Sequence, residues 1–188
     1  MNSLQQSLIL SFFLSVFLAL PVSAADITAG EQKAAQCATC HGPKGHSNNA
    51  QWPNLAAQQS TYLTNQLKAF KAGDRINPMM QSMAANLNND DINNLAAYFS
   101  SQPPAKTGGD QTLAKSGESK AGMCLGCHGA KAEGNGQFPR LAGQHPEYIV
   151  QQLKAFKEGS RKSGPMQAIT ANLSEADFKA LAAYFGSL

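Results

Sequence analysis

Two copies of one pentapeptide, Cys-x-x-Cys-His, contain every cysteine of this 188-residue chain. The first copy lies in AAQCATCHGP at residues 34–43, and the second lies in AGMCLGCHGA at residues 121–130. The four cysteines are Cys37, Cys40, Cys124 and Cys127. Because both copies have the same residues at the same spacing, one chemical explanation should account for both.

The pentapeptides belong to a longer internal repeat. A shift of 87 residues aligns AGEQKAAQCATCHG with SGESKAGMCLGCHG, and a shift of 86 residues aligns YLTNQLKAFKAGDR with YIVQQLKAFKEGSR. Self-similarity of this kind indicates a duplicated structural unit. We therefore predict two domains, at residues 26–101 and 111–188. The linker between them, residues 102–110, has the sequence QPPAKTGGD, which is rich in proline and glycine.

Each half has the hydrophobic periodicity of helices. Leu63, Leu67 and Phe70 share one face of a predicted helix that ends before a glycine. Asn88 and Ser174 each precede the last helix of their half, with an aspartate three residues later in the pattern of a capping box. No segment alternates as a strand would. We therefore predict an all-α fold, with a further helix leading into each cysteine motif.

Three explanations fit a Cys-x-x-Cys pair. A disulfide would suit an exported chain, but the redox motif with this spacing belongs near a βαβ pattern that is absent from this sequence. A zinc site built from all four thiols would need pairs separated by a whole domain. Cys-x-x-Cys-His is also the attachment sequence of c-type haem. Because domains of this size often need a cofactor to stabilise the fold, we predict two covalently bound haem c groups.

Histidines supply the first axial ligands in this interpretation. His41 and His128 directly follow the second cysteine of each motif, so each imidazole is expected to bind the iron on the side of the attachment helix. The two remaining histidines, His46 and His145, align with a glutamate and a glutamine of the other half. Ligation by two histidines is therefore not expected in both domains.

A methionine that occurs in both halves is the candidate for the second axial ligand. Met80 aligns with Met166, and each precedes the last helix of its half. Met79 and Met83 align with a proline and an isoleucine, so we interpret them as core packing. We predict that Met80 and Met166 complete the coordination of the two irons.

The first 25 residues are typical of a secretory signal peptide. An apolar run from Leu8 to Leu20 precedes a proline and small residues suited to cleavage after Ala24 or Ala25, although no basic residue precedes the run. We predict that residues 1–25 are removed and that the mature chain is periplasmic. The sequence leaves open whether it associates peripherally with the membrane.

The charge distribution argues against nucleic acid as a partner. The net charge is only +3, and the basic residues form neither a run nor a stripe interleaved with aromatic residues. Residues 26–100 carry five acidic and five basic residues, whereas residues 101–188 carry seven acidic and ten basic residues. The second half is therefore the expected docking face for an acidic partner.

With these residues assembled, the chain resembles the class I c-type cytochromes, and specifically the dihaem cytochrome c4 family. The resemblance covers the mature chain and rests on the tandem motifs, the segment FPRLAGQ echoed as WPNLAAQ, and the sequence LAAYF near the end of each half. It implies two all-α cytochrome domains that face each other. It also implies electron transfer outside the cytoplasm, commonly from a quinol-oxidising complex to a terminal oxidase.

The resemblance implies structural roles for two further residue pairs. Pro53 and Pro139 match the proline whose carbonyl accepts a hydrogen bond from the ring of the iron-binding histidine. Gly30 and Gly117 match the small residue at which the first and last helices of a domain cross. These residues would position the site without touching the iron.

Two arginines and two tyrosines also occur at equivalent positions of the two halves. Arg75 and Arg161 either pair with the haem propionates or are solvated surface charges. Tyr62 and Tyr148 are expected to pack between helices.

A methionine and a histidine on each iron would leave no open coordination position, so the resemblance implies an electron carrier and not an enzyme. The implied partners are redox proteins, either a quinol–cytochrome c reductase and a terminal oxidase or a dehydrogenase. One alternative is the electron-accepting subunit of a dehydrogenase such as a sulfide-oxidising flavocytochrome. A dihaem peroxidase is a weaker alternative, because equivalent methionines occur in both halves.

Overall fold

The structure is a computed structural model that describes residues 24–188. The predicted signal peptide lies outside this range except for its last two residues, and its cleavage stays a prediction. Every regular element of the described chain is helical, apart from one isolated bridge between Asn135 and Phe138. The all-α prediction is confirmed. Within the described range, no helix is both long and apolar enough to cross a membrane.

The first half contains four α-helices and one short 3-10 turn. Their bounds are α1 (Ile27–His41), the turn Pro43–Gly45, α2 (Ser60–Ala72), α3 (Pro78–Ala84) and α4 (Asn89–Ser100). Helix α2 ends at Gly73, whose φ of 82° is the left-handed conformation that favours glycine. The long segment between the turn and α2 has no regular structure and carries Pro53.

The second half repeats this order with two differences: the 3-10 turn has no counterpart, and the first helix is divided. Its helices are α5 (Gln111–Glu118), α6 (Gly122–His128), α7 (Pro146–Lys157), α8 (Gly164–Ala171) and α9 (Glu175–Ser187). The single helix expected before the second cysteine motif is instead broken into α5 and α6. At the break, the Ser119 hydroxyl donates to the Ser116 carbonyl at 2.8 Å, and Gly122 opens the next helix. Serine bonded to its own backbone and glycine both weaken a helix interior, whereas α1 has glutamine and alanine at these positions.

The last helix of each half begins with the predicted capping box. In α4 the Asn88 side chain accepts from the Asp91 amide at 2.8 Å, and Asp91 accepts from the Asn88 amide at 3.1 Å. Ser174 and Asp177 make the same reciprocal pair at the start of α9. Each box satisfies amides that the first turn of a helix leaves unpaired.

The first and last helices of each half cross at a glycine. A Cβ atom on Gly30 would lie 2.2 Å from the carbonyl oxygen of Asn94, and one on Gly117 would lie 2.1 Å from that of Ala180. No side chain fits at such a distance. These contacts fix α1, which carries the first cysteine motif, against α4, and they fix α5, which precedes the motif helix α6, against α9.

Candidate haem sites

Each cysteine motif places a buried histidine at the end of a helix. His41 is the last residue of α1 and His128 the last of α6, and each side chain is less than a tenth exposed. The His41 Nδ1 lies 2.9 Å from the Pro53 carbonyl oxygen, and the His128 Nδ1 lies 2.8 Å from that of Pro139. A carbonyl can only accept, so each Nδ1 is the donor and each Nε2 keeps its lone pair for a metal.

The environment of the two histidines favours the neutral, ligating imidazole. Burial lowers the pKa of His41 and of His128 below the ordinary histidine value, and the hydrogen bond to the proline carbonyl opposes this effect only in part. Phe138 stands beside the second site, with its ring edge-on to His128 at a centroid distance of 6.3 Å. Apolar surroundings and a fixed ring orientation both suit an axial ligand.

The cysteines lie one turn or less before these histidines. Cys37, Cys40 and Cys124 are half-buried and Cys127 is exposed, and no disulfide joins any two of them. Burial raises the pKa of Cys37, with a further contribution from Cys40, and burial likewise raises the pKa of Cys124. Among residues 24–188, no three histidine, cysteine, aspartate or glutamate side chains converge on one point.

The candidate methionines differ from their neighbours in burial. Met80 on α3 is half-buried and packs against the hydrophobic cluster that also contacts Cys37. By contrast, the side chains of Met79 and Met83 are 56% and 39% exposed, so their interpretation as core packing is wrong. Both lie on the outer surface of the short helix α3.

The second candidate methionine, Met166, is half-buried on α8. This helix is held by Thr170, which is fully buried and whose hydroxyl donates to the Met166 carbonyl at 2.8 Å. Each half thus offers two thiols, one imidazole nitrogen and one thioether. That donor set fits a covalently attached haem with a histidine and a methionine on its iron.

Two glutamines join the halves by reciprocal contacts to the backbone. Gln144 accepts from the Asn54 amide at 2.8 Å and donates to the Asn54 carbonyl at 3.0 Å. Gln58, its equivalent in the first half, accepts from the Arg140 amide at 2.7 Å and donates to the Arg140 carbonyl at 3.0 Å. The interface is therefore built from the same residues of both copies, related by an approximate two-fold axis.

Arg75 and Arg161 bridge the two halves of the chain. Arg75 donates from Nη2 to the Tyr148 hydroxyl at 3.0 Å and to Gln152 Oε1 at 2.9 Å, both in the other half. Its Nη1 donates to Gln66 of its own half at 2.7 Å. Both terminal nitrogens thus have protein acceptors.

Arg161 of the second half donates the equivalent hydrogen bonds to residues of the first half. Its Nη2 donates to the Tyr62 hydroxyl at 2.8 Å and to Gln66 Oε1 at 3.0 Å, and its Nη1 donates to Gln152 at 2.7 Å. Burial would raise the pKa of the Tyr62 phenol, but the guanidinium charges lower it below its usual value. The tyrosines thus accept hydrogen bonds across the interface, a role that sequence reasoning missed.

The sequence did contain a signal for this network. A tyrosine, a glutamine and an arginine of the first half each recur 86 residues later in the second half. The pairs are Tyr62 with Tyr148, Gln66 with Gln152, and Arg75 with Arg161. Repetition of polar residues in a duplicated chain indicates a shared role, but it does not reveal that the two sets meet each other.

Comparisons with known proteins agree with this architecture. The family model for cytochrome c matches residues 27–103 and again residues 114–188. Cytochrome c4 from Azotobacter vinelandii is 37% identical, over 88% of this chain and 90% of the relative. The structure of reduced recombinant cytochrome c4 from Pseudomonas stutzeri is 38% identical and has a TM-score of 0.82, over 88% of this chain and 100% of that chain. A thiosulfate dehydrogenase electron acceptor from Thiomonas intermedia (strain K12) is 35% identical, over 92% of this chain and 86% of its own length.

Both matched segments contain one Cys-x-x-Cys-His motif, and the similarity extends over nearly the whole described chain. The chain therefore belongs to the cytochrome c family, as a tandem member of the cytochrome c4 type that carries two covalently bound haem c groups and acts as an electron carrier, not as an enzyme.

Proposed function

We propose that this protein is a periplasmic electron shuttle that carries electrons from a quinol-oxidising complex to a terminal oxidase. In this proposal each half holds one haem c. The attaching thiols are Cys37 and Cys40 in the first half and Cys124 and Cys127 in the second. The axial ligands are His41 with Met80, and His128 with Met166.

The equivalence of the two donor sets is the observation that supports this proposal best. Each half offers one buried imidazole whose Nδ1 is bound to a proline carbonyl, so that only Nε2 is free for iron. Each half also offers one half-buried methionine at the start of a short helix. A histidine and a methionine together fill both axial positions, so neither half leaves a place for a substrate to bind.

The residues of the chain hold the redox centres and do not take part in bond chemistry. The haem supplies a reversible one-electron change of the iron, and a thioether ligand in a buried site favours the reduced form. Pro53 and Pro139 fix the imidazole orientation, while the crossing at Gly30 holds the attachment helix α1 and the crossing at Gly117 holds α5, the helix before the attachment helix α6. Little reorganisation is then needed when an electron arrives.

Carbon monoxide binding to the dithionite-reduced protein tests the ligand assignment. Carbon monoxide binds ferrous haem only where an axial position is open, so we expect no change in the optical spectrum when it is added. A carbon monoxide complex at one haem or at both would show a missing or weak sixth ligand. That result would contradict the proposed electron carrier with saturated irons.

A dehydrogenase is the second candidate for the electron donor, because one relative is named a thiosulfate dehydrogenase electron acceptor. Stopped-flow reduction of the oxidised protein separates the two candidates. A quinol–cytochrome c reductase and a thiosulfate dehydrogenase should be offered at equal concentrations, each with its own substrate. We expect the reductase to reduce the protein faster. If the dehydrogenase reduced it faster, the quinol-oxidising complex would be wrong as the proposed electron donor.

Export can be tested separately from electron transfer. The predicted signal peptide at residues 1–25 should be absent from the mature protein, because periplasmic attachment of haem c follows secretion. N-terminal sequencing of the protein from a periplasmic extract should therefore begin near Ala25 or Asp26. A protein that retains its first residues would argue for a membrane-anchored form.

A further inference from the structure

We propose that the tyrosine of each half positions the arginine of the other half, and that this arginine lies beside the haem of its own half. Tyr148 would then help to set the reduction potential of the first haem, and Tyr62 that of the second. This inference rests on the proposed haem sites and goes beyond them, because it assigns an electron-transfer role to residues that lie across the interface from the iron they affect.

The contacts of the two arginines are crossed. Arg75 reaches Tyr148 at 3.0 Å, and Arg161 reaches Tyr62 at 2.8 Å. The Nη1 acceptor of each arginine belongs to its own half and both Nη2 acceptors belong to the other half, while Tyr62 interacts with Arg75 of its own half as well as with Arg161. The orientation of each guanidinium therefore depends on the neighbouring domain.

Nothing in the described chain neutralises these two cations. The carboxylates that form ion pairs are Asp91, Asp177 and Glu175, and their partners are all lysines. Among the groups of the described chain, the arginines donate to neutral tyrosine and glutamine acceptors, and these directed hydrogen bonds orient each guanidinium. A positive charge in a half-buried position is weakly screened and acts strongly on a nearby redox centre.

Each arginine lies near the candidate methionine of its own half along the chain and stacks on an aromatic ring of that half. Arg75 precedes Met80 by five residues, and its guanidinium stacks on the Phe70 ring at 4.5 Å. Phe70 belongs to the hydrophobic cluster against which Cys37 and Met80 pack. Arg161 precedes Met166 by five residues and stacks on Phe156 at 4.5 Å. In the first half, Phe70 thus links Arg75 to the cluster against which the candidate ligands pack, and the repeat predicts the equivalent place for Arg161.

A positive charge near the iron favours the reduced, less positive form. If a tyrosine loses its hydroxyl, the arginine loses one acceptor and can turn toward water, which would weaken its effect on the iron. Tyr148→Phe should therefore lower the potential of the first haem more than that of the second. Tyr62→Phe should do the reverse.

The test is a redox titration of the holoprotein followed by the haem methyl proton resonances. Nuclear Overhauser effects to residues of each half assign these resonances to one haem or the other. Matched controls exist because the chain has four tyrosines. Tyr184→Phe and Tyr98→Phe remove a phenol hydroxyl from the same halves, but neither hydroxyl bonds across the interface in the described chain. These controls should leave the difference between the two potentials unchanged.

A double variant shows whether the tyrosine acts through the arginine. Arg75→Gln should lower the first potential by itself, and adding Tyr148→Phe to it should then produce no further shift in that potential. A tyrosine with a purely packing role would give the same shift in both backgrounds.

Three results would overturn the inference. These are a shift confined to the haem of the mutated half, equal shifts at both haems, or no shift in either tyrosine variant. A failure of the proposed function is distinguishable from all three. In that case the wild-type holoprotein would not show two reversible one-electron steps, and this control precedes the comparison of variants.

Discussion

At the scale of single residues, the site depends on how each ring nitrogen and each thioether is directed. His41 and His128 use Nδ1 to hold a proline carbonyl, which leaves Nε2 as the ligating atom in both halves. Met80 is half-buried, whereas Met79 next to it is 56% exposed. Neighbouring residues of one type thus differ in their capacity to reach a buried iron.

Met80→Ala is expected to open one axial position, because no other buried methionine lies nearby on α3. The reduced variant should bind carbon monoxide at one of its two haems, and Met166→Ala should do the same at the other. Optical titration with carbon monoxide measures the fraction that reacts. Met79→Ala is the matched control and should behave as the wild type. If Met79→Ala opened a haem and Met80→Ala did not, the ligand assignment would be wrong.

At the scale of helices, one close crossing in each half fixes the first helix of that half against the last. At Gly117 the backbones of α5 and α9 approach so closely that a Cβ would lie 2.1 Å from the Ala180 carbonyl oxygen. The capping boxes at Asn88 and Ser174 start the crossing helices at defined residues. Each candidate histidine is positioned by the end of its helix together with a proline carbonyl of the loop that follows.

Gly117→Ala is expected to destabilise the holoprotein, because α5 and α9 must move apart to admit the methyl group. Overpacking of this kind costs about 1–3 kcal/mol. Thermal unfolding followed by circular dichroism measures the change. Gly122→Ala is a suitable control, since no atom lies within 4 Å of its Cβ position and alanine favours a helix. A control variant less stable than Gly117→Ala would contradict the assigned crossing.

Part of this level of structure could be predicted from the sequence and part could not. Apolar spacing, glycine stops and the residues of the capping boxes predicted the helices α2, α4, α7 and α9, because these signals act within one or two turns. The break between α5 and α6 was missed because Ser119 and Gly122 are each tolerated within a helix. Their combined effect depends on how the rest of the half packs.

At the scale of the whole molecule, the duplicated chain uses one surface twice. Gln58 and Gln144 each form hydrogen bonds to two backbone groups of the opposite half. Across the same interface, Arg75 and Arg161 each donate to side chains of the opposite half. Because the contacts are equivalent, both halves are constrained in the same way. This arrangement holds the two candidate haem sites in one relative orientation.

Gln144→Ala is expected to remove the hydrogen bond that the Asn54 amide donates across the interface. The Asn54 amide would lose its acceptor in a buried position, at a cost of about 1–3 kcal/mol. Hydrogen exchange of that amide should accelerate by roughly tenfold or more, with a smaller effect on the Arg140 amide. Mass spectrometry or nuclear magnetic resonance resolves both amides.

Gln151→Ala is the matched control for this prediction, because its exposed side chain bonds only to Gln51 across the interface. It should leave exchange of the Asn54 amide unchanged. Equal acceleration in the two variants would mean that the interface opens as a unit and that Gln144 has no special role.

The sequence by itself determined the cofactor, the number of domains and the fold class. Those properties follow from motifs and periodicities in which the informative residues are close together along the chain. Only the tertiary structure decided that Arg75 and Arg161 reach across to the other half and that Met79 lies exposed. It also paired Gln58 and Gln144 with backbone groups more than 80 residues away. The physical reason is that a long polar side chain has many acceptors within reach, and the packing of one half against the other selects among them.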